Sequence, residues 1–190
     1  MTGSAAQLVT PAFILTGAPG AGKTAILRVL ESRGHDVVEE AATAVIECEL
    51  ARGVRVPMDD PAVIERIAAL QLTRWATAAQ RPAKVRFFDR SPLCTLALAR
   101  FMDYPVPAAL GDEVERMRDE RLYQPRVFLI RNQGTVKPTV ARRISQNDAV
   151  RFERIHAEAY AEFGYTCVPV APAPLDERAL IVEREALGGH

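Results

Sequence analysis

Short apolar runs alternate along the chain with longer stretches whose apolar residues recur every three or four positions. Ala12–Thr16 (AFILT) is apolar throughout and stops at Gly17, the pattern of a strand buried on both faces. Residues 22–33 carry Ile26, Leu27 and Leu30 at helical spacing and end at Gly34, a natural helix terminator. A second strand is expected over 36–39, ending in two acids, and a helix over 41–52, broken by Gly53 and Pro57. Asp60-Pro61 reads as a cap followed by proline at the first helical position, opening a long helix to about Arg81. The third strand is expected over 84–88 (KVRFF), closed by Asp89-Arg90-Ser91-Pro92. Helices follow over 92–103 and 108–121, with Pro105 and Pro107 between them. Arg126–Ile130 is the fourth strand, 131–144 a loop with paired arginines, 145–163 a helix, 165–170 the fifth strand and Leu175–Leu187 a closing helix. This alternation predicts a parallel α/β sheet with helices on both faces. No repeat, low-complexity segment or linker interrupts it, so 1–190 reads as one domain, with 1–10 flexible.

Composition narrows the function. The 190 residues are 48% apolar and 25% charged, with a formal net charge of zero, which leaves no basic field to draw in nucleic acid or an anionic membrane. No apolar stretch approaches the ~20 residues of a membrane span. The segment before Ala12 lacks a charged region leading into an apolar core and does not read as a signal peptide. Cys48, Cys94 and Cys167, and His35, His156 and His190, are dispersed. Neither a zinc site nor a Cys–His nucleophile is expected; each cysteine reads as a small buried hydrophobe in a reducing cytosol. Only three of the 24 basic residues are lysines, Lys23, Lys84 and Lys137. A lysine inside a motif that requires one therefore carries weight.

Lys23 is such a lysine. Gly17-Ala18-Pro19-Gly20-Ala21-Gly22-Lys23-Thr24 matches G-x-x-x-x-G-K-[ST], with a strand before it and a helix after. The glycines let the backbone curl so that successive N–H groups converge on phosphate oxygens, and the helix start adds its positive end. Residues 17–25, through Ala25, are the expected nucleotide cradle. Lys23 would reach the β and γ phosphates, and the Thr24 hydroxyl would ligate Mg²⁺. The expected ligands are therefore ATP and Mg²⁺. No Asn-Lys-x-Asp guanine signature is present.

Phe87-Phe88-Asp89 places an acid at a strand end, where ligands of α/β folds sit, to hold Mg²⁺ with Thr24 or to take a proton. Motor and remodelling ATPases usually place a second acid next, to activate water; here the next residue is Arg90, which suits a grip on phosphate or on an acceptor group. Glu39 and Glu40 end the second strand, one expected to face the acceptor as general base and the other solvent. Which of Glu39, Glu40 and Asp89 is the base stays open. Met58, Trp75 and Tyr104 are candidates for either the acceptor pocket or ordinary packing.

At these residues the sequence resembles small P-loop ATPase/kinase-like domains related to the nicotinamide riboside kinase domain of NadR. It is more distantly similar to thymidylate and deoxynucleoside kinases. The matching features are residues 17–24, VVEEAA, the run Phe87 to Leu93, the helix bearing Gln71 and Arg74, and the stretch Arg142 to Glu153. The resemblance implies a P-loop NTPase three-layer sandwich with strand order 2-3-1-4-5 and an arginine-bearing lid over 131–145. It also implies that Arg142 and Arg143 close on the transferring phosphate, and that adenine lies near residues 171–174. Two activities follow as alternatives: a kinase for a small, nucleoside-like acceptor, or a nucleotide-hydrolysing regulatory module that acts through a protein partner.

Overall fold

In the computed structural model, which describes residues 10–131 and 146–188, the sheet forms as the apolar runs require. Its five strands are β1 (Ala12–Thr16), β2 (Asp36–Val38), β3 (Arg86–Asp89), β4 (Arg126–Ile130) and β5 (Thr166–Val170). All pairings are parallel and the order is β2-β3-β1-β4-β5, so the strand before the glycine-rich loop is central. The helices are α1 (Lys23–Ser32), α2 (Ala41–Ala51), α3 (Val63–Ala79), α4 (Pro92–Phe101), α5 (Ala108–Asp119), α6 (Gln146–Glu162) and α7 (Leu175–Leu187). Among the described residues no helix is long and apolar enough to cross a membrane.

Strand alternation divides the apolar runs between two cores. Phe13, Leu15, Phe87, Phe128 and Ile130 pack with Ile26, Leu30, Ala179 and Val182 of α1 and α7. Ala12, Ile14, Phe88 and Val127 pack on the other face with Val45, Ile64, Leu93, Val114 and Tyr160 of α2 to α6. Consecutive residues such as Phe87 and Phe88 thus belong to opposite layers, which is why the strands read as continuously apolar.

Several boundaries differ from the sequence reading by a few residues, and three of these elements lie by the site or brace it. β2 stops at Val38, so Glu39 and Glu40 form the connection into α2. β3 starts at Arg86 and includes Asp89, which pairs with Leu15. α3 starts at Val63 because Asp60 closes a turn of its own, its Oδ1 accepting the Ala62 N–H at 3.0 Å. Cys94 is buried as expected, but Cys48 lies on the exposed side of α2. The expected flexible tail 1–10, apart from Thr10, and the expected lid 131–145, apart from Arg131, lie outside the described residues.

Candidate functional site

The loop between β1 and α1 is shaped by three glycines in the left-handed region: Gly17 (φ 129°), Gly20 (φ 81°) and Gly22 (φ 95°). Two of them also need the missing side chain. A Cβ on Gly17 would overlap the Ile130 carbonyl oxygen, and one on Gly22 would meet Arg178 Nη2 at 2.9 Å. Arg178, buried on α7, donates from Nη1 to the Ala21 carbonyl at 2.8 Å, so the last helix props the loop from beneath. Ala18 and Ala21 are fully buried, while Pro19 faces the neighbouring cavity.

Lys23, only 5% exposed, folds over this loop and donates to the carbonyls of Gly17 (3.1 Å) and Ala18 (3.0 Å). Burial, reinforced by the positive charge of Arg90, lowers its pKa to about 8. The Thr24 hydroxyl donates to Asp89 Oδ2 at 2.9 Å across the sheet end. Asp89 is 4% exposed, and its Oδ1 is buried without a hydrogen-bond partner among the described residues. Burial pushes its carboxyl up, opposed by Lys23. A buried carboxylate oxygen with no donor, beside a hydroxyl, is the donor set a hard divalent cation such as Mg²⁺ takes.

Arg90 adopts φ 75°, a left-handed conformation that costs a non-glycine residue roughly 1 kcal/mol or more. That turn swings its side chain back along the end of the sheet. The guanidinium is buried, pairs through Nε with Glu40 Oε1, and lies 3.3 Å from His156 Nε2 through Nη1. Glu40 Oε2 also accepts the Thr43 hydroxyl at 2.7 Å. Glu39 is exposed. The ends of β2 and β3 are fastened by α3: Arg74 Nη1 donates to the carbonyls of Glu39 (2.9 Å) and Glu40 (2.6 Å), and Gln71 Nε2 to that of Ser91 (3.0 Å).

A cavity of about 750 Å³ opens beside the phosphate loop. Pro19, Glu40 and Arg90 contribute to its lining, together with Ile46, Met58 and Leu98 from the surrounding elements and Asp148 and Phe152 from α6. Met58 is therefore a pocket residue. Trp75 instead stacks under the Arg116 guanidinium at 4.5 Å, and Tyr104 donates its hydroxyl to the Met58 carbonyl at 2.6 Å.

The structure thus gathers residues 17–25, Glu40, Asp89 and Arg90 at the C-terminal end of the sheet. Arg142 and Arg143 lie outside the described residues. Sequence reasoning missed His156 and Arg178. His156 carried a faint signal: Phe152, His156 and Tyr160 recur every four residues, which puts a histidine in an apolar helical stripe. Arg178 is one arginine among many, and nothing in the sequence marks it.

Comparison with known proteins agrees with this architecture. Residues 12–178 match the family described as an AAA domain. Among solved structures, NadR in complex with NAD and AMP-PNP superposes with a TM-score of 0.65 at 19% identity, over 96% of this chain and 51% of that one. NadR in complex with NR gives a TM-score of 0.65 at 18% identity, over 96% and 53%. The chain therefore spans about half the length of each NadR chain. No curated protein sequence matches.

Proposed function

This chain belongs to the AAA-domain family, and from that premise we propose that it is an ATP- and Mg²⁺-dependent phosphotransferase for a small-molecule acceptor. The observation that carries the reading is the 750 Å³ cavity meeting the phosphate loop at Pro19, Glu40 and Arg90. Hydrolysis needs room for one water; transfer needs a second substrate site at the phosphate, and this cavity is large enough for a metabolite. The NadR complexes support a nucleotide and a small ligand on this fold, and a nucleoside-like acceptor is within that range.

In this reading the whole of 1–190 is one nucleotide-binding domain. The N–H groups of residues 17–25 and the Lys23 ammonium hold the phosphates, and residues 171–174 flank adenine. Thr24 and Asp89 would hold Mg²⁺, which supplies charge neutralisation on the phosphate oxygens. Glu40, at the cavity end, accepts the proton of the acceptor hydroxyl as its oxygen bonds to the γ phosphorus and the bond to ADP breaks. Arg90 faces the charge of the transferring group, joined by Arg142 and Arg143 from the lid.

The test is turnover with and without acceptors. ATP and Mg²⁺ alone should yield ADP slowly. The right member of a nucleoside, sugar and amine panel should raise the rate at least about tenfold, with phosphorylated product in step with ADP. Arg90→Ala should suppress the stimulated rate and leave nucleotide affinity within a few-fold. Steady ADP release as inorganic phosphate, unchanged by any acceptor, would instead select the regulatory ATPase.

A further inference from the structure

His156 is the one histidine sealed inside the protein, 0% exposed among the described residues, and it sits against the arginine on which the proposed transfer depends. Its two ring nitrogens have separate partners. Nδ1 lies 2.8 Å from the Phe152 carbonyl, an acceptor, so Nδ1 carries the proton and donates. Nε2 lies 3.3 Å from Arg90 Nη1, which can only donate, so Nε2 accepts. This pair of partners specifies the neutral Nδ1–H tautomer.

The guanidinium is thereby gripped from two sides. Glu40 takes Nε from the β2 end, and His156 takes Nη1 from α6, 66 residues away in sequence. The Phe152 ring packs against the imidazole, with centroids 4.2 Å apart, and lies 5.9 Å from the guanidinium carbon. A planar fork held at both ends keeps one orientation, whereas a buried arginine held at one end can rotate about its last torsions.

We infer that His156 is a positioning residue: its bare Nε2 fixes the Arg90 guanidinium at the end of the cavity and ties that arginine to α6. The inference deepens the phosphotransferase reading and rests on it only for its kinetic consequence.

The electrostatic surroundings agree with a neutral ring. Burial and the positive charge of Arg90 lower the His156 pKa to about 3, with Lys23 acting in the same sense and Glu40 and the Phe152 carbonyl opposing. An imidazolium there would turn the Nε2 acceptor into a donor facing a second cation.

The wild-type protein supplies the first test. Long-range ¹H–¹⁵N spectra of the imidazoles at neutral pH should show His156 with a protonated Nδ1 and a bare Nε2. Arg90→Lys should move the Nε2 resonance. A protonated Nε2, or an Nε2 indifferent to Arg90→Lys, overturns the inference without any activity measurement. The second test follows the Arg90 Nε–Hε signal in ¹⁵N-labelled protein. It should be sharp and slow to exchange in wild type and in His156→Gln, whose amide oxygen can replace Nε2. It should broaden in His156→Phe, which fills the space without an acceptor. Unchanged Arg90 exchange in His156→Phe also overturns it.

The kinetic arm uses whichever acceptor stimulates turnover. His156→Phe should lower kcat on the order of tenfold with nucleotide affinity within about threefold, and His156→Gln should recover most of the loss. Equal losses in Phe and Gln variants would mark His156 as packing alone. If no acceptor is found, the phosphotransferase reading fails while the two spectroscopic tests still decide the role of His156.

Discussion

Lys23 shows how much chemistry one buried side chain can hold in reserve. Its ammonium is parked on the Gly17 and Ala18 carbonyls, in a site whose burial and neighbouring Arg90 lower its pKa to about 8. A triphosphate arriving at the loop would supply opposite charge and raise that pKa again. Nucleotide association should therefore take up a proton above about pH 8, and affinity should weaken as pH rises through that value. Calorimetry in buffers of different ionisation enthalpy measures the uptake. Lys23→Ala should abolish it and lower turnover on the order of 10²–10³-fold. Wild-type-like binding and turnover in Lys23→Ala would dismiss the phosphate-loop reading. The lysine was legible in the sequence because its motif demands it. The carbonyls on which it rests and its lowered pKa were not, since both depend on the folded loop.

Among the elements, the phosphate loop draws its shape from β1, β4 and α7 together. The glycine spacing announced the loop, but Gly17 also lies against the Ile130 carbonyl and Gly22 against Arg178, contacts made only when β4 and α7 pack beside it. Gly22→Ala should therefore carry two separable costs. One is the left-handed backbone, on the order of 1 kcal/mol; the other is the clash with the guanidinium. Adding Arg178→Ala to Gly22→Ala should recover part of the lost melting temperature and nucleotide affinity, and never all of it. Additive losses in this double-mutant cycle would show that a side chain at position 22 does not meet Arg178. Helix α3 was read from its cap signals, and Gln71 and Arg74 on it entered through family resemblance. Its physical role is to hold the Ser91, Glu39 and Glu40 carbonyls, which orients the turns carrying Arg90 and Glu40. The start of α3 was misplaced because Asp60-Pro61 serves a separate turn as well as it would serve a helix.

Across the molecule, the packing of α6 onto the sheet end links stability to pH. His156 has a folded pKa of about 3 against an ordinary 6.5, so between these values the unfolded chain binds a proton that the native protein does not. Stability should thus rise with pH through this window and be lost as pH falls below about 6.5, at up to ~1.4 kcal/mol per pH unit. Asp89, whose carboxyl is pushed up, works in the opposite direction, so the clean measure is the difference between His156→Gln and wild type. Melting temperatures between about pH 7 and 5 should fall less steeply in His156→Gln; parallel slopes would mean that His156 is not buried neutral. What the sequence by itself determined is local: apolar runs that must lie inside a covered parallel sheet, a glycine-lysine loop that can shape itself around phosphate, and an acid, Asp89, that ends a strand. Such features follow from backbone sterics and short-range periodicity, and they fall within a few residues of one another. Only the tertiary structure decided that Glu40 and not Glu39 meets Arg90, that a cavity opens at Pro19, and that His156 and Arg178 serve the site. Those outcomes depend on which helices pack over which sheet edge. They join residues 50, 66 and 157 positions apart, separations over which the sequence carries no periodic or motif signal.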